Sequence, residues 1–271
     1  MKINSFVSVE TNILTNESTD TSNSDDDVLA SIVVIVFIML FFFIIVNLVQ
    51  MIGSEINEEK TTKAMEIIIS NVSPKDHLTS KIISCTLFSI IQILLLASYT
   101  FIATRIKNTS MISSTSFVNE ILNSIKDTNV VNLMIQIIPI LIIFFIFTLI
   151  SYALLSGVLA SMTTSIDDFQ QLQTPLMFLI SISFYLAILS MIFDGSILIK
   201  ILSFIPMISF MLSPTLFMLG QISIISLIIS LILQIAFTFL IFKYGIKIYK
   251  EGILNYSTKD LWKKIFRALK S

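Results

Sequence analysis

Charged side chains are scarce in this sequence. Asp, Glu, Lys and Arg make up 13% of its 271 residues, about half the share usual in soluble domains. With 55% hydrophobic residues and a mean hydropathy of +0.92, that scarcity excludes a soluble globular domain. A single cysteine, Cys85, excludes an internal disulfide and any multi-thiolate metal centre. Six glycines, none in a phosphate-cradling loop that ends in Gly-Lys-Ser/Thr, exclude ATP binding by that device. The only histidine, His77, follows Asp76 in a polar segment, pairs with no serine inside an apolar stretch, and is expected to be a solvated loop residue. Asp167 and Asp168 read as a solvated turn between spans rather than a catalytic dyad. The chain is read as neither an enzyme nor a metal protein.

What is abundant is uninterrupted apolar sequence. Five long stretches lack any charge: Val28 to Ser54, Ile82 to Thr104, Thr128 to Ile166, Phe169 to Phe193 and Ile201 to Phe242. A helix needs about 20 apolar residues to cross the hydrocarbon core, so each can span. The fifth has 42 residues, roughly 63 Å as one straight helix and about twice the core thickness. It must break, and Pro206, Pro214 and Gly220 supply the breakpoints. The expected organisation is an all-α polytopic membrane protein. Its spans lie near 28–53, 82–104, 131–161, 172–193 and 221–248, with a bent hairpin over 202–219.

The ends of the chain are electrically opposite. Six acids and one lysine occupy residues 1–27, whereas Lys243 to Lys270 holds eight bases and two acids. The first 27 residues, rich in Ser, Thr, Asn and Asp, are expected to be disordered or the remnant of an external segment. In the tail, 251–271, Leu261, Trp262, Ile265, Phe266 and Leu269 share one helical face and Lys263, Lys264, Arg267 and Lys270 the rest, as in a helix lying on an anionic bilayer. Five crossings with the N-terminus outside place 12 bases inside and 5 outside; six crossings place 13 and 4. Both satisfy the positive-inside bias, and both put the tail in the cytoplasm.

Between the first two spans, Glu55 to Lys81 is too charged to enter the bilayer. Ala64, Met65, Ile68 and Ile69 form a short apolar stripe at helical spacing, and a protein partner is the favoured occupant of that stripe. The spans carry uncharged polar groups, among them Asn47, Gln50, Gln92, Thr100, Gln136, Ser181, Ser183 and Gln234. These read as interhelical hydrogen-bonding groups ahead of a substrate path.

Glu58-Glu59-Lys60, then Met65-Glu66-Ile67-Ile68 and Ser70-x-Val72-Ser73-Pro74, resemble the coupling-helix signature of type-2 ATP-binding-cassette (ABC) exporter permeases, in particular the sodium-efflux branch. Three further pieces agree in order: Asp168-Phe169-Gln170-Gln171-Leu172-Gln173-x-Pro175, Phe204-Ile205-Pro206 with Ser213-Pro214, and Lys247-x-Tyr249-Lys250-x-Gly252-Ile253. The resemblance implies five crossings, an external N-terminus, a cytoplasmic coupling helix, and an outer re-entrant hairpin marked by Pro206, Ser213, Pro214 and Gly220. It implies a permease subunit that pairs with itself or with a second permease. An ABC ATPase subunit, carrying ATP and Mg, would couple through Glu58, Glu59, Glu66, Ser73 and Pro74. No cofactor would bind this chain directly, and no nucleic acid is involved. Members of that family carry an extra first span and an external domain ahead of the segment that begins here at Val28. A reading of another class is a non-transporting membrane protein, such as a toxin-immunity or scaffold subunit.

Overall fold

The structure, a computed structural model, describes residues 17–107, 129–193 and 195–253. Among these the regular structure is helical throughout: α1 (Glu17–Thr61), α2 (Ala64–Asn71), α3 (Pro74–Lys107), α4 (Asn129–Met162), α5 (Ile166–Ile192), α6 (Ile197–Leu202), α7 (Ser209–Met218) and α8 (Ile224–Ile253). Five stretches are long and apolar enough to cross a membrane: Val34–Thr61, Pro74–Tyr99, Ile138–Met162, Ile166–Ile192 and Ile224–Ile253. The helix α4 is central, packed against α1, α3, α5, α7 and α8.

Small residues let α1 approach its neighbours closely. A Cβ on Gly53 would stand 2.6 Å from Phe169 Cε2 and 2.7 Å from Ser156 Oγ. At this approach Ser156 Oγ and Gln173 Nε2 both donate to the Val49 carbonyl, at 2.6 and 3.2 Å, from α4 and α5 respectively. Without a hydrophobic drive between helices in lipid, such backbone proximity and cross-helix hydrogen bonds carry the packing.

The segment between α5 and α8 packs against the other helices. Met207 sits in the turn between α6 and α7 with φ 77, a left-handed conformation rare for a side chain of its size. Three side chains hold its backbone. Tyr152 Oη and Ser183 Oγ donate to its carbonyl at 2.8 and 3.4 Å, and its N–H donates to Gln234 Oε1 at 3.1 Å. Gln234 lies about ten positions into α8, roughly 15 Å from its start, so the turn lies beside the first third of that 30-residue helix. Ser213 and Ser230 donate to the Ser203 carbonyl at 2.6 and 3.1 Å. Irregular backbone at this depth is tolerated because protein donors and acceptors satisfy it.

Gly220 ends α7 with φ 70; its N–H donates to Phe217 O and that of Gln221 to Leu216 O, both at 2.9 Å, the two bonds of a Schellman motif. Pro206 lies in the turn before Met207. Pro214, expected to break the chain, sits inside α7 instead. A proline removes one intrahelical bond, and close packing of α7 against α4, α5 and α8 sustains the helix around it.

Other expectations are also revised. Residues 17–27, expected to be disordered or the remnant of an external segment, form the first turns of α1, because the helix propagates outward from its apolar part. Much of Glu55 to Lys81 is helix rather than loop, with α1 running on to Thr61 and α3 starting at Pro74. Residues 1–16 and the amphipathic tail with Trp262, Lys263, Lys264 and Arg267 lie outside the described residues.

Candidate functional site

The charged ends of α1, α3 and α8 meet at one end of the bundle, beside α2. Lys60, in the last turn of α1, is fully buried. Its ammonium donates to the carbonyls of Ser161 and Gly252, the latter at 2.7 Å. These carbonyls belong to the last turns of α4 and α8, where the helix dipole is negative and acceptors lack an intrahelical partner. Gly252 makes this possible, since its Cα rests on Ser161 and a Cβ there would collide with that backbone and side chain.

One turn of helix away, Lys81 of α3 bridges Glu55 and Glu59 of α1, with Nζ 2.6 Å from a carboxylate oxygen of each. The second oxygen of Glu59 faces His77 Nε2 at 3.2 Å. On its other side, His77 Nδ1 is 2.8 Å from the Tyr249 hydroxyl of α8. A carboxylate at Nε2 favours the tautomer protonated there, so that Nδ1 accepts from the phenol. His77 is 6% exposed and Tyr249 0%, so the expectation of a solvated loop histidine is wrong. The α1–α2–α3 turn brings it inward, where Tyr249 supplies its ring with a hydrogen-bond partner and Glu59 places a carboxylate beside the other nitrogen.

The five residues read as coupling positions therefore separate. Glu59 turns inward to Lys81 and His77. Ser73 caps α3: its hydroxyl accepts from Asp76 N–H at 3.2 Å and donates to the Asp76 carboxylate at 2.7 Å, and Pro74 takes the first helical position. Glu58 and Glu66 are exposed. The apolar stripe of α2, expected to meet a partner, packs in part on the chain's own bundle. Met65 is buried there and Ile69 lies against the same core. The outward side of α2 presents Glu66, Ile67 and Ser70, with Ile67 72% exposed.

The other sequence-predicted positions have local roles. Asp168 N–H donates to Ser165 Oγ and its carboxylate accepts from Thr164, an N-cap arrangement opening α5. Asn57 Nδ2 donates to Ser165 O at 3.1 Å and so ties that cap to α1. Gln234 Nε2 also donates to Ser151 Oγ, which pairs with Thr238, so Gln234 and Ser183 bond across the bundle as their polar character predicts. Ser181 bonds within its own helix to Met177 O, and the side chains of Thr100 and Gln136 are not among the described ones. Among the described residues no group of His, Cys, Asp and Glu could hold a metal ion.

This geometry, with five helices long and apolar enough to cross a membrane, agrees with a comparison of the sequence with known families. Residues 3–244 match the family described as "ABC-2 family transporter protein". The chain belongs to the ABC-2 transporter family. An ABC-2 family chain is the membrane-spanning transport component and is not itself catalytic, and such permeases normally work with an ABC ATPase. One curated relative is "Uncharacterized protein YhaP" of Bacillus subtilis (strain 168), 26% identical over 222 residues, 81% of this chain and 51% of that protein. The chain thus spans about half the length of the curated relative it matches. No solved structure matches it. The ABC-2 permease is a multi-pass membrane protein, and residues of the four sequence pieces quoted above take part in the contacts between its helices: Lys60 and Glu59, Phe169 and Gln173, Ser213, and Tyr249 and Gly252.

Proposed function

We propose that this permease subunit is driven by a separate ABC ATPase that docks on the outward side of α2 and the adjoining Glu58, at the cytoplasmic end of the bundle. The observation that carries the reading is the form of the site. A short helix shows Glu66, Ile67 and Ser70 outward, while Met65 and the Lys81–Glu59–His77–Tyr249 chain fasten its surroundings to α1, α3 and α8. A push on α2 then moves the ends of three spans together. Ser73 and Pro74 start α3 directly behind α2, so they transmit that push rather than receive it.

In this reading the N-terminus is outside, the tail cytoplasmic, and the α6–α7 hairpin enters from the outer side. Lys60, Lys63, Lys75 and Lys81 cluster at the charged end beside Lys243, Lys247 and Lys250, which supports that orientation through the positive-inside bias. The working unit is a pair of permease chains with two ATPase subunits carrying ATP and Mg, transport runs outward, and the sodium-efflux branch is the nearest type. Copurification of this chain with an ATPase, whose hydrolysis it stimulates, tests the proposal. Replacing Glu66 by Lys abolishes the stimulation if the reading holds. Stable membrane insertion with no ATPase partner at all favours a scaffold or immunity subunit and overturns it.

A further inference from the structure

A cleft of about 260 Å³ opens between α1 and α3, lined by Asn47, Leu48, Met51, Phe88, Ser89 and Gln92. Asn47 lies about seven positions inside the charge-free stretch that ends at Ser54, and Gln92 about ten inside the one that begins at Ile82. At the helical rise these depths are roughly 10 and 15 Å, beyond the head-group boundary of a core about 30 Å thick. Carboxamides left without partners in hydrocarbon are costly, so polar groups converging at such depth mark a ligand or a water path.

The hydrogen-bonding capacity of the cleft is specific. Asn47 Nδ2 is taken by the Phe43 carbonyl at 2.9 Å, which leaves its Oδ1 as an acceptor. Ser89 Oγ donates to Cys85 O at 2.9 Å. Gln92 makes no hydrogen bond among the described residues and offers both a donor and an acceptor. The wall contains no Asp, Glu, Lys or Arg, so a charged head group would find no counter-ion, whereas Leu48, Met51 and Phe88 supply an apolar surface. The volume lies just under the ~300 Å³ at which small-molecule pockets begin, enough for a small polar head and the first part of a chain that continues into the bilayer.

We propose that the α1–α3 cleft binds an uncharged amphiphile, whose hydroxyl and carbonyl groups bond to Asn47 and Gln92 and whose chain runs along Leu48, Met51 and Phe88. The assignment goes beyond the ATPase-coupled reading and does not depend on it.

The test uses the full chain in lipid nanodiscs and a monoacylglycerol carrying a photoactivatable diazirine near its head, with labelled peptides mapped by mass spectrometry. Labelling is expected to concentrate on residues 47–51 and 88–92. It should fall at least fivefold in Asn47→Leu with Gln92→Leu, and also in Met51→Trp, which fills the cleft and spares both amides. An acylated quaternary amine of the same chain length should not concentrate there. Labelling spread evenly over the lipid-facing helices, equal labelling by the charged probe, or protection of the cleft by a second copy of the chain would each overturn the assignment.

Discussion

The Tyr249 hydroxyl stands 2.8 Å from His77 Nδ1, across 172 positions of sequence, and this contact ties the end of the last span to the start of the second. Removing only the hydroxyl, with Tyr249→Phe, leaves a buried ring nitrogen without its donor. We expect a loss of about 1–2 kcal/mol, read as a lower melting temperature in detergent. In a double-mutant cycle with His77→Leu, the two losses should fall short of additivity by at least ~0.5 kcal/mol. Full additivity would mean the contact contributes nothing.

Glu59 and Glu66 are both acids near α2, and their substitutions should behave oppositely. Glu59→Lys sets a cation beside Lys81 and His77 and should lower stability and yield in membranes. Glu66→Lys, on an exposed position, should change stability by less than ~0.5 kcal/mol while ATPase stimulation is lost. Thermal unfolding and ATPase assays on the same preparations separate the two effects.

Lys60→Met keeps the length of the stem and removes the ammonium from the Ser161 and Gly252 carbonyls. Hydrogen bonds to charged donors are worth roughly 1.5–3 kcal/mol, so a destabilisation of that order is expected. Hydrogen exchange should rise at the ends of α4 and α8 before it rises elsewhere. Unchanged exchange at Ser161 and Gly252 would remove Lys60 from the joint.

At Gly53 there is no room for a larger residue, and Gly53→Leu must push Phe169 and Ser156 away from α1. The expected result is a loss of folded protein in fluorescence-detected size-exclusion chromatography. Ser156→Ala, which deletes the bond to Val49 O but keeps the space, should cost only about 1 kcal/mol.

Gln234→Leu removes the acceptor for the Met207 N–H and should release the turn between α6 and α7. Exchange of residues 204–209 should accelerate at least tenfold, with α1 to α3 unaffected. If the turn stays protected, Tyr152 and Ser183 hold it without Gln234.

The fold was legible because its determinants are local. Each charge-free stretch is long enough to force a helix through lipid, and a stretch of 42 residues had to break, as it does between α6, α7 and α8. The candidate site was less so. Glu59, Lys60 and Tyr249 stand in sequence pieces that resemble exporter permeases, yet spacing alone does not reveal that Glu59 faces His77 or that Lys60 reaches Gly252. Those contacts join residues far apart in sequence, and His77 next to Asp76 looks solvent-bound until α8 is laid against it. A signal was present in Gly252, whose missing side chain in the last turn of α8 marks a close approach to Ser161. Pro214 misled for the converse reason, because tertiary packing sustains a helix that local propensity would break.

The central claim is that the outward side of α2 faces the cell interior and meets a motor protein there. Its most direct test is a single cysteine at Ile67, with Cys85 replaced by Ser, probed by a membrane-impermeant maleimide. No labelling is expected in intact cells, rapid labelling once the membrane is opened, and protection when the ATPase is bound. Labelling in intact cells would contradict the claim.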